Sequence, residues 1–308
     1  MPELPEVETI RQGLRGQILG ATIRDVELTG CRIFQTPAEL LLERLPQQQL
    51  VEIDRRGKFL IVRLNRDRLV IHLGMTGQLT VWYPERPDSE GFLRHPVTGL
   101  QRVRQHSADK HTHLQLHFED GRSLLFRDPR KFGKCHLLEK ESELTALLAH
   151  LGMEPLSDEY TLPAFLNGLK GRKTSIKALL LNQRVVAGVG NIYADEALFQ
   201  ASIHPSRRAN RLRRYEKERL FQAIRLALEK GVTYGGTTLR DYVNSDGREG
   251  GNQDELLVYG RTEQPCPRCG VRIEKIVVAQ RGTHFCPSCQ PRSRPNPNVA
   301  VLSQNVAY

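Results

Sequence analysis

The chain has 308 residues, 39% of them hydrophobic and 26% charged, a length that predicts two domains with room for a small appendage. This composition excludes a disordered or fibrous protein, and no uncharged apolar run approaches the roughly 20 residues that span a bilayer. The N-terminus is acidic from Glu3 onward, unlike a secretory signal. We therefore expect a soluble, cytoplasmic protein.

The formal net charge of +10 is unevenly distributed along the chain. Residues 1–150 carry 22 basic and 20 acidic side chains, a net of +2, whereas residues 151–308 carry 23 and 15, a net of +8. This asymmetry indicates a polyanionic partner for the second half, either nucleic acid or an anionic membrane. The charge alone is equally compatible with an ordinary solvated surface.

The first 140 residues read as a short helix followed by strands. Residues 5–14 are predicted to be helical because Val7, Ile10 and Leu14 recur at helical spacing. Short strand-like runs follow at 59–64, 69–75, 114–118 and 123–126. Many short strands separated by turns predict an antiparallel sandwich or barrel. The polar stretch 84–109 has no clear period and is predicted to be a long loop.

From about Glu141 the apolar residues follow a helical period. Leucine-rich stripes at 144–151 and 220–228, with 176–181 and 193–199 between them, predict a helical second half. The division that we expect is a β domain at 1–140, a helical domain at 141–262, a cysteine-containing hairpin at 263–290 and a disordered tail at 291–308. The tail is rich in Pro, Asn and Ser.

Four of the six cysteines form two CxxC pairs in one short segment, Cys266, Cys269, Cys286 and Cys289. In an intracellular chain a disulfide framework is not expected, and four thiolates in paired CxxC knuckles suit tetrahedral zinc. The sequence therefore predicts one structural Zn²⁺. The other two, Cys31 and Cys135, stand alone in strand-like runs and are predicted to pack in the core.

Pro2 is the first candidate for chemistry. Removal of an initiator methionine before a proline leaves a secondary amine, whose pKa of about 8 lies well below the value of about 10.4 for lysine. Such an amine can attack a sugar aldehyde carbon to give an iminium ion, which acidifies the adjacent C–H for β-elimination of a phosphate. A proline present only by chance is the alternative that the residue itself leaves open.

The opening Pro-Glu-Leu-Pro-Glu-Val-Glu-Thr resembles the N-terminus of formamidopyrimidine-DNA glycosylase, a family of base-excision enzymes that remove oxidised purines. The resemblance runs from residue 2 to about residue 290 and ends in the cysteine segment. Six further motifs carry it, at 54–58 (DRRGK), 72–77 (HLGMTG), 128–133 (DPRKFG), 189–194 (VGNIYA), 235–242 (GGTTLRDY) and 258–261 (VYGR).

This resemblance implies an α+β protein with an N-terminal antiparallel β-sandwich, a C-terminal helix–two-turns–helix domain and a zinc β-hairpin. It implies that Pro2 is the nucleophile at C1′ and that Glu3 is the general acid–base group, for which a pKa above about 4.3 is expected. Lys58 would contact phosphate and take part in β-elimination, and Arg281 would act in δ-elimination. Without the resemblance, Lys58 reads as a surface charge and Glu3 as a carboxylate at a helix start.

The same resemblance implies contacts to DNA from His111, Arg130, Lys173 and Asn191. For the backbone amides at 188–192, which open a helix, an anion site is also expected on physical grounds. Taken singly, His111 and Lys173 would be ordinary surface residues.

A glycosylase must extrude its target nucleotide, and side chains must fill the gap. Met75, Arg130 and Phe132 match the family's gap-filling residues, and the 235–242 segment resembles the loop that closes over oxidised guanine. Core packing is the alternative for Met75 and Phe132. Where the family has a second arginine after Arg130, this chain has Lys131, so one phosphate contact is expected to differ.

The sequence thus predicts a bifunctional DNA glycosylase and abasic-site lyase, monomeric and not bound to membranes, that acts on double-stranded DNA with oxidised purines or abasic sites. Structural zinc is its one expected cofactor. The nearest alternative is an endonuclease VIII-like enzyme for oxidised pyrimidines, against which Leu4 and the 235–242 segment argue. A zinc protein that binds damaged DNA without catalysis is the alternative from another class.

Overall fold

The structure is a computed structural model, and it describes residues 2–29, 32–85, 107–239 and 241–292 together with the backbone of 89–95 and 99–105. The predicted tail at 291–308 lies outside the described residues except for its first two, and so does Cys31. None of the described helices is both long and apolar enough to cross a membrane.

Two four-stranded antiparallel sheets form the N-terminal part and enclose one core. The first sheet has the order β1 (Ile23–Leu28), β8 (Thr112–Phe118), β9 (Ser123–Arg127), β5 (Gln78–Trp82). The second has the order β10 (Lys134–Leu138), β4 (Arg68–His72), β3 (Phe59–Leu64), β2 (Leu50–Arg56). The predicted antiparallel sandwich is confirmed.

Helix α1 (Leu4–Ile18) is longer than the predicted 5–14 and joins the two halves of the molecule. Its residues Val7, Ile10, Leu14 and Ile18 belong to the sandwich core, whereas Leu4 packs in the core of the helical domain. Cys135 in β10 is fully buried in the sandwich core, as predicted. A short helix, α2 (Ala38–Arg44), also packs there through Leu41.

The prediction of a long loop over 84–109 is wrong. Strands β6 (Ser89–His95) and β7 (Gly99–Gln105) pair antiparallel as a separate two-stranded hairpin. The hairpin joins neither four-stranded sheet, so its sequence need not show the apolar alternation of a half-buried strand. This is why the pattern of apolar residues over 84–109 did not indicate strands.

The second half is helical, as predicted. Its elements are α3 (Glu141–Leu148), α4 (Leu162–Leu169), α5 (Ile176–Leu181), α6 (Asn191–Gln200) and α7 (Arg214–Thr233). Helix α3 packs through Leu144 on Ile61 and Val70 of the sandwich. Helices α4 to α7 share a core of their own, with α6 packed along α7.

The cysteine segment folds as a hairpin of β11 (Glu274–Val278) and β12 (Arg281–Phe285). Its two-residue turn consists of Ala279 and Gln280, both with positive φ, as a tight hairpin turn requires. Arg281 is the first residue after the turn. This arginine therefore lies at the tip of the hairpin.

Candidate active site

Two adjoining cavities lie between the sandwich, the helical domain and the tip of the zinc hairpin. The first, of about 370 Å³, is lined by Pro2 and Arg130, among others. The second, of about 440 Å³, is lined by Glu3, Lys58, Asn191 and Arg281, among others. Both share the side chains of Met75, Ile192, Leu239 and Tyr259. The fold thus brings six residues from distant parts of the sequence into one cleft.

Glu3 connects the N-terminus of the chain to the start of α6. Its Oε2 accepts a hydrogen bond from the amide of Gly190 at 2.8 Å, and its Oε1 accepts one from the amide of Ile192 at 2.9 Å. The first amides of a helix carry partial positive charge and lack partners within the helix, which makes them suitable donors to a carboxylate. Glu3 therefore does more than favour the dipole of its own helix.

Glycine is required where α6 begins. A Cβ on Gly190 would lie 2.3 Å from Cδ of Glu3, and one on Gly188 would lie 2.6 Å from Cβ of Leu4. Gly188 also has a positive φ of 83°, and its carbonyl accepts a hydrogen bond from the amide of Leu4 at 3.0 Å. Residues 188–190 therefore form the surface against which residues 3 and 4 pack.

The charges of Glu3 and Lys58 are both perturbed by burial. Burial raises the pKa of the Glu3 carboxyl, and the nearby Lys58 ammonium opposes that shift. Burial lowers the pKa of Lys58, and Glu3 opposes that shift in turn. Both side chains are less than a tenth exposed, so the interpretation of Lys58 as a surface charge is wrong. A carboxyl with a raised pKa and an amine with a lowered pKa are suited to proton transfer.

Lys58 is held by the turn between β2 and β3. The turn residue Gly57 has a φ of 57°, and its amide donates to Oε2 of Glu154 at 2.7 Å. Glu154 also pairs with Arg55 at 2.8 Å and with Arg56 at 3.1 Å. One carboxylate of the helical domain thus holds the three residues that directly precede Lys58.

The hairpin tip next to Arg281 is anchored from the helical domain. The amide nitrogen of the Asn191 side chain donates to the carbonyl of Gly282 at 2.9 Å. Nζ of the fully buried Lys177 donates to Thr283 Oγ1 at 2.7 Å and lies 2.6 Å from Oδ1 of Asp195. This buried ion pair and the Asn191 contact determine where Arg281 enters the cleft.

The three predicted gap-filling residues lie at the rim of the cleft. Met75 is 38% exposed and Phe132 is 44% exposed, and the guanidinium of Arg130 lies 4.7 Å from the centre of the Phe132 ring. The core-packing alternative is therefore wrong for Met75 and Phe132. Met75 and Arg130 line the cavities, whereas Phe132 lines neither of them. Lys131 is exposed and has a positive φ of 57°.

The other two predicted DNA contacts lie outside the cavities. His111 is half-buried just before β8, where its carbonyl accepts from the amide of Asp128 at 2.9 Å. Lys173 is exposed in the segment before α5.

The 235–242 segment is anchored to α1 by Glu6. Oε1 of Glu6 accepts a hydrogen bond from the amide of Thr237 at 2.7 Å and another from the hydroxyl of Tyr193 at 2.8 Å. Oε2 of the same carboxylate accepts from the amide of Glu3 at 2.8 Å. Leu239 stands 51% exposed above the cavities. One buried carboxylate thus connects the N-terminal residues to this segment.

Sequence reasoning missed three residues that line the cleft. It quoted Glu6, His72 and Tyr259 only within motifs and gave none of them a role. Burial lowers the pKa of His72 to about 4, and its Nδ1 accepts from the amide of Gly74 at 3.1 Å. The ring is therefore neutral and carries its proton on Nε2. The motifs at 72–77 and 258–261 were the features of the sequence from which His72 and Tyr259 could have been identified.

The four cysteines at the base of the hairpin meet the requirements of a zinc site. Their Sγ atoms all lie within 4.8 Å of one another, with 3.9 Å between Cys266 and Cys289 and 3.5 Å between Cys269 and Cys286. Four Zn–S bonds of about 2.3 Å in a tetrahedron place sulfurs about 3.8 Å apart. The donor set and its spacing fit one structural zinc ion, as predicted.

Three family models match the chain in the order of its domains. They are the formamidopyrimidine-DNA glycosylase N-terminal domain at residues 1–135, the formamidopyrimidine-DNA glycosylase H2TH domain at 151–243, and the zinc finger found in FPG and IleRS at 263–292. Together they account for most of the chain.

Individual relatives agree with the family models over nearly the whole length. The chain is 44% identical to the formamidopyrimidine-DNA glycosylase of Herpetosiphon aurantiacus, over 94% of this chain and all of the relative. It resembles the crystal structure of MutM (Fpg) from Thermus thermophilus with a TM-score of 0.78 and 42% identity, covering 95% of this chain and all of that one.

A second solved structure is a complex between the Lactococcus lactis Fpg and an abasic site containing DNA. The TM-score is 0.82 and the identity 37%, over 94% of this chain and 99% of that one. The match includes the sandwich, the helical domain and the zinc hairpin that surround the cleft. From its sequence and its fold together, the chain belongs to the formamidopyrimidine-DNA glycosylase family.

Proposed function

We propose that the chain is a bifunctional DNA glycosylase and abasic-site lyase of base-excision repair, which removes oxidised purines such as 8-oxoguanine and formamidopyrimidines from double-stranded DNA. The observation that carries the proposal is the cleft itself, where Pro2 lines one cavity and a buried acid, Glu3, with two basic residues, Lys58 and Arg281, lines the adjoining one. Family membership supports the same activity. We further propose that the protein acts as a monomer on DNA in the cytoplasm, without a membrane.

The first step is attack of the Pro2 amine on C1′ of the damaged nucleotide. Removal of Met1 exposes this amine. As the N–C1′ bond forms, the bond from C1′ to the base breaks, and the base leaves with the proton that the Pro2 nitrogen loses. The protonated Glu3 carboxyl donates to the sugar ring oxygen, the ring opens, and the iminium ion remains. The raised pKa of Glu3 supplies the acid form for this step.

Strand cleavage follows from the iminium ion. Loss of a proton from C2′ breaks the C3′–O bond and releases the 3′ phosphate (β-elimination). A second elimination breaks the C5′–O bond (δ-elimination), and water then releases the remaining sugar fragment from Pro2. We assign Lys58 to the phosphate and proton transfer of the first elimination. Arg281 clamps the departing phosphate in the second, for which a planar guanidinium is suited.

The rim residues are assigned to DNA. Met75 and Phe132 would fill the gap left by the extruded nucleotide, and the guanidinium of Arg130 would bond the orphaned base. His111, Lys173 and Asn191 would contact phosphates. The exposure of Met75 and Phe132 at the edge of the cavities supports this assignment.

The experiment is a comparison of two labelled duplexes under single-turnover conditions. One carries 8-oxoguanine opposite cytosine, and the other carries 5-hydroxyuracil. The proposal predicts faster excision from the first, and products with phosphates at both ends of a one-nucleotide gap. Preferential excision from the second would assign the chain to the endonuclease VIII-like activity. Binding without excision from either would make it a non-catalytic damage binder.

A further inference from the structure

Beside the cleft, two segments of the helical domain form a small two-stranded ladder. The amide of Ile176 donates to the carbonyl of Arg207 at 2.7 Å, that of Ala209 to Thr174 at 3.0 Å, and that of Asn210 to Arg172 at 2.9 Å. Residues 172–176 and 207–210 therefore lie side by side at the spacing of neighbouring strands, about 4.8 Å.

The ladder and the turn that follows it carry an exposed basic strip, which we define by Arg172, Lys173, Arg208, Arg211 and Arg213. Within the described part of the chain, none of these five pairs with a carboxylate.

Neighbouring arginines differ in this respect. Arg207 pairs with Glu216, and Arg214 with Glu218 at 2.8 Å. The carboxylates of Glu216 and Glu218 therefore pair with other arginines, and among the described residues no carboxylate pairs with the basic strip. Such a strip is the electrostatic footprint expected of a surface that binds a polyanion.

The ladder is linked through α5 to the hairpin tip that borders the cleft. Helix α5 begins where the ladder ends, and its Lys177 contacts Thr283 two residues from Arg281. Duplex DNA bound in the cleft would extend over this side of the helical domain, with one negative charge about every 1.7 Å along its axis. An acidic protein would also be attracted, but nothing connects such a partner to the cleft.

We propose that the basic strip is a binding surface for the duplex that flanks the lesion. It contacts phosphates without regard to sequence or damage and extends the footprint of the protein beyond the cleft. The identity of the ligand as DNA rests on the proposed function of the cleft. Lys173 is already assigned to a phosphate contact, and the proposal extends that contact to Arg172, Arg208, Arg211 and Arg213, which have no role in base extrusion or catalysis.

The test is the salt dependence of binding to a long undamaged duplex. Each phosphate contact contributes about 0.9 to the slope of log K against log salt, so Arg208→Gln with Arg211→Gln should lower the slope by about 1.8. The matched control is Arg24→Gln with Arg66→Gln, which removes the same charge from exposed positions on the sandwich. The control should leave the slope unchanged, and equal slopes for both double variants would overturn the proposal.

Two further measurements separate this proposal from that of the cleft. When the duplex is shortened on one particular side of an 8-oxoguanine, and not on the other, wild type should bind as weakly as the strip variant does on the long duplex. On that shortened duplex the two proteins should bind equally well. A loss that persists on duplexes shortened on either side would mean that the arginines support the cleft, against the proposal. Excision at saturating enzyme should be unchanged in the strip variant. Failure of wild type to excise would contradict the proposed function, while the slopes on undamaged duplex would remain a valid test.

Discussion

The hydroxyl of Thr76 donates a hydrogen bond of 2.6 Å to Oδ1 of Asp128, across 52 residues of sequence. Oδ2 of this fully buried carboxylate accepts from the amide of Gly133 at 2.7 Å. A Cβ on Gly74 would lie only 2.5 Å from the backbone of Phe132. The turn that bears Met75 and the turn that bears Phe132 are therefore fixed against each other.

The first prediction concerns this connection. Thr76→Val keeps the shape of the side chain but removes a donor to a buried carboxylate, which should lower the free energy of unfolding by about 1.5–3 kcal/mol. Because the gap-filling side chains lose their common support, single-turnover excision should also slow. Thr80→Val in β5 is the control, because Thr80 makes no side-chain hydrogen bond among the described residues. Equal urea midpoints for the two variants would contradict the account.

The start of α6 gives the second prediction. Gly190→Ala places a methyl group where Cδ of Glu3 lies, so excision should fall by at least about 100-fold, the size of effect that a displacement of about 1 Å at a reacting group produces. Zinc content should stay at one equivalent. Gly16→Ala in α1 is the control, since its new methyl group would meet no neighbouring atom within 4 Å, and it should retain full activity. Normal excision by Gly190→Ala would show that Glu3 need not occupy this position.

A third prediction follows from the pKa of Glu3, which burial raises and the Lys58 charge lowers. An acid must be protonated to act, so excision should decline as the pH rises through this pKa. Lys58→Met removes the opposing charge and should move this decline to higher pH, whereas Lys58→Arg keeps the charge and should not. Both variants will be slower than wild type, so the comparison uses the pH at which excision declines and not the rate of excision. Excision that declines at the same pH in both variants would exclude Glu3 as the acid.

The Lys177–Asp195 pair gives a fourth prediction. Removing one partner of a fully buried ion pair costs about 3–5 kcal/mol, because the other charge is left uncompensated. Lys177→Met should lower stability by this amount and release the hairpin tip. The ratio of δ- to β-elimination product should then fall, while Pro2 still forms its adduct. The double variant Lys177→Met with Asp195→Leu should recover stability but not the product ratio. An unchanged ratio in both would refute the positioning of Arg281 by this pair.

Local patterns were sufficient to predict some of the elements of the fold. The helical spacing of Val7, Ile10 and Leu14 located α1, and the CxxC pairs located the zinc hairpin, because each is encoded within a short stretch of sequence. The hairpin of β6 and β7 was missed because it belongs to neither packed sheet.

The contacts of the site could not be predicted in the same way. Glu3 meets the amide of Gly190 across 187 residues, and Lys58 becomes buried only because the helical domain covers its turn. Motif resemblance named both residues, yet it did not reveal the partner of either. Glu6 was missed for this reason, since its role depends on Thr237 and Tyr193, more than 180 residues away.

The central claim is that the amine of Pro2 forms the covalent intermediate. Borohydride reduction in the presence of an 8-oxoguanine duplex should trap a protein–DNA adduct, and peptide mapping should place it on the N-terminal proline. Pro2→Gly, with its N-terminus verified, should bind duplex and lose most of its excision activity. An adduct mapped to Lys58, or undiminished excision by Pro2→Gly, would contradict the account.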